Sequence, residues 1–198
     1  MTLDALLPNP KPRALIFDCD GTLADTMPAH FAAWQETLAP LGARFPLDRF
    51  HALAGVPTVR IAALLITENA LDETAEGLAG RKEAAYLAQA ARVQPFAQVL
   101  AVASAARGVL PMAVASGSHR ALVLRTLGGL GITDWFQAIV AAEDTPHHKP
   151  EPDVFLEAAR RLKIAPAGCL VFEDADLGLE AARRAGMRAI DVRHAPWR

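Results

Sequence analysis

The chain has little cysteine, no long apolar run and no excess of either charge, and each shortage removes a class of protein. Its two cysteines, Cys19 and Cys169, sit inside strand-like apolar runs. They are too few and too far apart for a disulfide framework or a cysteine metal site, so buried free thiols are expected. No stretch approaches the roughly 20 consecutive apolar residues of a membrane helix. The opening residues, MTLDALLPNPKP, lack the basic start and long apolar stretch of a secretory signal. Twenty Lys and Arg face 22 Asp and Glu, a formal net charge of -2, which gives no electrostatic reason to expect nucleic acid. A cytoplasmic protein with neither a membrane nor a nucleic-acid partner is the expectation. No internal repeat or low-complexity tract interrupts the chain.

What is present is a chain of 198 residues, 52% hydrophobic and 21% charged, enough for one real core and a large insertion. Five short apolar runs read as strands: Arg13–Phe17, Leu110–Ala115, Ala138–Ala142, Cys169–Glu173 and Arg188–Val192. Between the later runs, Ser118–Ile132, Pro152–Ile164 and Ala175–Gly186 carry apolar residues at three-to-four spacing. Strands alternating with helices predict a Rossmann-like, doubly wound α/β sheet. The gap after the first run is too long for one crossover. It holds three helical patterns, Pro28–Gly42, Thr58–Ala70 and Asp72–Arg92, and no convincing strand. The expected organisation is an α/β core formed by residues 1–26 and 96–198, with residues 27–95 inserted as a helical cap.

In an open parallel sheet, ligands bind beyond the carboxyl ends of the strands. Asp18 and Asp20 follow the first run, Ser116 ends the second, Lys149 precedes the helix near Pro152, and Glu173 and Asp174 end the fourth. Three or four carboxylates cannot stay ionised side by side without a cation, and an all-oxygen ligand set suits Mg²⁺. Lys149 and the cation would neutralise a phosphate, while Ser116 and loop amides donate to its oxygens. One aspartate can then attack phosphorus, and the other can serve the leaving group and the water as acid and base. The assignment is Asp18 as nucleophile and Asp20 as proton manager.

These residues carry a resemblance. The chain resembles the haloacid dehalogenase (HAD) superfamily of phosphatases, with DCDGT as the first motif, Ser116 in VASGS as the second, Lys149 in HHKPEPD as the third and FEDADLG as the fourth. It is most similar to the β-phosphoglucomutase-like branch, especially sugar phosphatases of the fructose-1-phosphatase type. The resemblance implies that Asp18 is nucleophile and metal ligand, and that Asp20 is the acid/base and lends its backbone carbonyl to Mg²⁺. It further implies Asp174 as the principal distal metal ligand, Glu173 as a direct or water-mediated one, and Ser116 and Lys149 as phosphate-binding residues.

The cap is expected to select the substrate. His30 matches a cap-entry histidine that contacts substrate in this branch, and a solvated histidine in the first turns of a helix is an equal reading. Asp25 and Thr26 are expected to cap that helix, and Trp34 to lie in the cap core. Gly55, in LAGVPTVR, matches the substrate-recognition loop. Lys82 matches a cap lysine near the substrate, with a surface-helix position as the equal alternative. Gly117 and Ser118 read as a phosphate-facing turn at a helix N-terminus. Mutases of the branch tend to carry an arginine three residues after the loop glycine to hold a second phosphate. Thr58 stands there instead, with Arg60 two positions on.

The leading expectation is a Mg²⁺-dependent phosphatase of a small sugar phosphate, working as a monomer. The alternatives are a sugar phosphomutase and, from a different class, a phospho-acceptor signalling domain. Such receiver domains place the acceptor aspartate after a later strand and carry no large helical insertion after the first.

Overall fold

The computed structural model describes residues 3–89, 93–194 and 197. In chain order the elements are α1 (Leu3–Leu6), β1 (Ala14–Phe17), α2 (Met27–Leu38), α3 (Leu47–Ala52), α4 (Thr58–Asn69), α5 (Ala75–Gln89), α6 (Ala97–Ala106) and β2 (Met112–Ala115). There follow α7 (Arg120–Gly129), β3 (Ala138–Val140), α8 (Asp153–Leu162), β4 (Cys169–Glu173), α9 (Asp176–Arg184) and β5 (Arg188–Asp191). The five strands are those expected. The last residues of the helix predicted over Asp72–Arg92, numbers 90–92, lie outside the described residues.

All strand pairs are parallel, in the order β3-β2-β1-β4-β5. The central strands are apolar, apart from Glu173 at the end of β4, because both faces of the sheet are covered. Their alternating side chains divide into two cores. Leu15, Phe17, Met112, Val114, Leu170 and Phe172 face one side with Val99 and Val102 of α6 and Val123 of α7. Ala14, Ile16, Ala113, Ala115, Cys169 and Val171 face the other with Phe155 of α8 and Ala181 of α9. This is the doubly wound sheet. Both cysteines are buried and free.

Helices α2 to α5 form their own apolar cluster, apart from the sheet. Trp34, Leu38, Phe45, Phe50, Leu65 and Leu78 are at its centre, and Trp34 meets Phe45 edge-on with ring centroids 5.7 Å apart. Trp34 therefore has the core position expected of it. Besides the four-residue α1, two helices escape the sequence pattern. Helix α3, LDRFHA, is only 6 residues long, too short to show a period. Helix α6, AQVLAVASAA, buries Val99, Val102, Ala103 and Ala106 on one face, but its other face is largely alanine and gives little polar contrast. Among the described residues no helix is long and apolar enough to cross a membrane.

Candidate active site

The strand order reverses between β1 and β4, which pair side by side with Phe17 opposite Phe172. Asp18 follows β1 and Glu173 closes β4, so strand direction alone brings their carboxylates together at the crevice. Lys149, from the segment before α8, places Nζ 2.7 Å from Asp18 Oδ1 and 2.7 Å from Glu173 Oε2. All three side chains are buried. Such a cluster is tolerated in the interior only because each charge has partners.

The other end of Glu173 is fixed by backbone. Its Oε1 accepts the N–H groups of Asp174 and Ala175 at 3.1 and 3.0 Å. Thr22 Oγ1 donates to Asp174 Oδ1 at 3.0 Å. Among the described residues, oxygens of Asp18, Glu173 and Asp174 all lie within 4.8 Å of one another. Three carboxylates against one ammonium leave a surplus of negative charge. Asp18 carries the consequence: burial, and next the carboxylate of Glu173, push its carboxyl well above the usual range against the pull of Lys149. Burial alone would lower Lys149, but Asp18 and Glu173 outweigh it and hold the ammonium above its ordinary value. An oxygen-only donor set short of positive charge fits a hard divalent cation.

Gly21 makes room for that cluster. Its φ is +90°, and an added Cβ would lie 2.2 Å from Asp174 Oδ2. Gly21→Ala is therefore expected to displace Asp174 and to destabilise the fold by about 1–3 kcal/mol through left-handed strain. Thermal melts with and without Mg²⁺ check both effects. The wild type should gain stability from the cation and the variant should not; an undiminished Mg²⁺ shift in the variant would sink the assignment.

Asp20 faces a different set of groups. Oδ1 accepts from Thr26 Oγ1 at 2.8 Å and lies 3.2 Å from His30 Nε2. Oδ2 accepts from Ser118 Oγ at 2.7 Å, with Ser116 Oγ at 3.5 Å. Burial works to raise this carboxyl, but His30 and the hydrogen bonds from His30, Ser118 and Thr26 prevail and hold it well below the usual carboxylate range. The Asp20 carboxylate is thus an acceptor beside the acidic cluster and no member of it. The resemblance gave only its backbone carbonyl to the metal.

The two titratable residues of the helical insert singled out by sequence, His30 and Lys82, are both buried here. His30 lies on α2 with Nδ1 2.7 Å from Lys82 Nζ of α5. Burial, then Lys82, lowers the imidazole's proton affinity against the pull of Asp20. Burial brings Lys82 down to about 8, against Asp20 and Glu83. Neither side chain is the solvated one of the alternative reading. An ammonium at Nδ1 makes that nitrogen the acceptor, so Nε2 carries the proton and donates to Asp20.

The capping expectation is corrected. Thr26 is the N-cap residue of α2 but makes no side-chain cap bond; its hydroxyl is committed to Asp20. Asp25 is exposed. Gly117 and Ser118 form the turn just before α7, which starts at Arg120 with His119 as N-cap, and Ser118 does not cap the helix itself. Instead the Ser118 N–H donates to Ser116 Oγ at 3.0 Å and its hydroxyl holds Asp20. Gly117 is where insert and core touch: an added Cβ there would lie 2.4 Å from Gly55 O. Gly55 also stands against the Lys149 side chain, which seats the loop between α3 and α4 over the site. Asp18, Asp20, His30, Gly55, Lys82, Ser116, Gly117 and Glu173 share one cavity, walled on the insert side by Trp34, Phe50, Leu53 and Ile61. Arg60 is exposed and lines a separate cleft with His147 and His148. Sequence reasoning gave no role to Thr22 or Tyr86, and Thr22 stood in view inside DCDGT.

A parallel sheet with a helical insertion after its first strand, and this set of groups at the strand ends, define a hydrolase of the haloacid dehalogenase type. A family profile described as haloacid dehalogenase-like hydrolase matches residues 12–186, and the chain belongs to that family. It is 46% identical over 180 residues to the fructose-1-phosphate phosphatase YqaB of Escherichia coli (strain K12), an alignment covering 90% of this chain and 95% of that protein. It is 31% identical to the β-phosphoglucomutase of Bacillus subtilis (strain 168), over 91% of this chain and 83% of that one. Among solved structures, CbbY from Rhodobacter sphaeroides in complex with phosphate is similar with a TM-score of 0.83 at 25% identity, covering 94% of this chain and 90% of that chain.

Proposed function

We propose that this protein is a Mg²⁺-dependent phosphatase that hydrolyses a small sugar monophosphate, fructose 1-phosphate or a related hexose phosphate, through an aspartyl phosphate on Asp18. The observation that carries this reading is the buried Asp18–Lys149–Glu173 cluster, with Asp174 completing its negative face. Asp18, Glu173 and Asp174, with the Asp20 carbonyl, would hold the cation. When bound, Mg²⁺ supplies positive charge that keeps Asp18 ionised and offsets the phosphoryl oxygens.

The chain's own groups do the rest. Ser116, the turn at Gly117 and the Lys149 ammonium bind the phosphoryl oxygens. An Asp18 oxygen attacks phosphorus, the bond from phosphorus to the sugar oxygen breaks, and Asp20 gives that oxygen a proton. A phosphate dianion next to Asp20 favours the protonated form this needs, because a like charge raises a neighbouring carboxyl. The sugar leaves, and Asp20, again a carboxylate, takes a proton from the water that attacks the aspartyl phosphate. Inorganic phosphate is released and Asp18 is regenerated. The loop at Gly55 and the apolar wall of the insert, acting as a cap, keep other water out.

The absence of arginine among the described residues of this cavity supports a monophosphate substrate over a bisphosphate intermediate. Similarity to a β-phosphoglucomutase keeps the mutase as the reading to test against. The experiment is phosphate release from a panel of sugar monophosphates, with Mg²⁺ and with a chelator, beside β-glucose 1-phosphate conversion with and without a bisphosphate primer. Mg²⁺-dependent release led by one hexose phosphate is expected. Primed conversion to glucose 6-phosphate with little free phosphate would overturn the phosphatase reading.

A further inference from the structure

His30 can serve Asp20 only if its ring is held edge-on to two partners at once, with Nε2 toward Asp20 and Nδ1 toward Lys82. Those two bonds, at 3.2 and 2.7 Å, fix the ring's ends but leave it free to roll about the line between them. A third contact removes that freedom. Tyr86 lies flat against the imidazole, with ring centroids 3.9 Å apart and planes 2° from parallel. It is the single tyrosine of the chain, and it is completely buried.

The helix explains why one residue can do this. Lys82 and Tyr86 are four apart on α5 and share one face, so the residue that meets His30 Nδ1 and the residue that covers the ring are presented together. The Lys82 ammonium sits 5.5 Å from the Tyr86 ring centroid, within the range of a cation–π contact. Tyr86 is anchored at its other end: its hydroxyl lies 3.3 Å from Thr126 Oγ1 on α7 of the core, and its ring packs with Ala33 and Leu122. One side chain therefore spans the helical insert and the core while touching the ring that touches Asp20.

We propose that Tyr86 is a positioning residue of the active site, which acts through His30 by holding the imidazole in the plane that lets Nε2 donate to Asp20. Its effect on turnover runs through the orientation of the acid/base carboxylate. The inference rests on the phosphatase reading for its kinetic consequence and stands on its own for the state of the ring.

The experiment combines kinetics with a measurement that does not need turnover. On the sugar phosphate that the wild type hydrolyses best, Tyr86→Leu should lower kcat about tenfold, the size of a lost aromatic pair, with KM changed less than about twofold. Tyr86→Phe keeps the ring and should recover most of that loss. In a His30→Asn background, Tyr86→Leu should add almost nothing, because the group it acts through is gone. If Tyr86→Leu fails to fold, Tyr86→Met removes the ring with less change of shape and is read in the same way.

Independently, nitrogen NMR of histidine-labelled wild-type protein should show His30 as the tautomer protonated at Nε2, with that proton exchanging slowly with water. The ringless variant should keep the tautomer but exchange the proton faster, because a rolling ring loosens its bond to Asp20. An equal loss from Tyr86→Leu with and without the His30→Asn change would mean general packing and would overturn the proposal. So would tautomer averaging in the wild type, an Nε2 proton that exchanges no faster in the ringless variant, or an unchanged kcat in that variant. A wild type that is inactive across the panel would instead remove the phosphatase reading and leave the NMR result to decide the ring's role.

Discussion

Asp18→Asn is expected to abolish turnover, by about 10⁴-fold or more, the scale on which removal of a covalent nucleophile acts, while leaving the protein folded. Asparagine has nearly the same shape, and its Oδ1 can still accept from Lys149, which now stands 2.7 Å from Asp18 Oδ1. The substitution also removes one negative charge from a group of three carboxylates, two of them buried and Asp174 half-buried. Stability without a divalent cation should therefore hold or rise, and the thermal gain on adding Mg²⁺ should shrink. Wild-type turnover in the variant would refute the nucleophile. Loss of turnover together with unfolding would point instead to a structural part for Asp18, so melts and kinetics have to be measured on the same preparation.

The framework of this site was legible because it is written in strand ends. Each strand that carries a functional residue is a short apolar run followed by a polar group, and parallel topology sends every such end to one crevice. Asp18 after RALIF and Glu173 at the end of CLVFE needed no further information. Lys149 was harder, since a lone lysine in a loop is most often solvated; its order in the chain placed it, and its pair of buried bonds came from the structure.

Partner choice among small polar groups was not legible. Thr26 sits where a helix cap belongs, yet its hydroxyl goes to Asp20 across the turn. Ser118 looked like part of a helix start and is bound to the same carboxylate. Each hydroxyl had a local partner within reach, and the choice was decided by a buried carboxylate brought near by tertiary contacts. Lys82 and His30 were ambiguous for a related reason. A helix shows which residues share a face, but not that this face will meet a second helix through a polar contact at 2.7 Å.

Lys149→Met should produce the largest loss of stability of any single change in the core cluster. The methionine fills similar space, so the effect is electrostatic: Asp18 and Glu173, both buried, lose the cation that bridges them. Breaking a buried pair from one side costs about 3–5 kcal/mol, and turnover should fall by about 10²–10³-fold as a charge facing the phosphoryl group disappears. The sign of the pH response follows from Asp18. Its carboxyl is already raised above the ordinary range by burial and by Glu173, with Lys149 pulling it down, and removal of Lys149 raises it further. A folded state that keeps a proton which the unfolded chain has released loses stability as pH rises through the raised value. The variant should therefore recover stability on acidification from mildly alkaline toward mildly acidic pH, and Mg²⁺ should recover part of it by supplying the missing charge. Denaturant melts across that range, with and without Mg²⁺, measure both recoveries. A loss independent of pH and of cation would mean that Lys149 acts by packing, against the Phe155 ring 5.1 Å from its ammonium, and that its charge is not what the cluster requires.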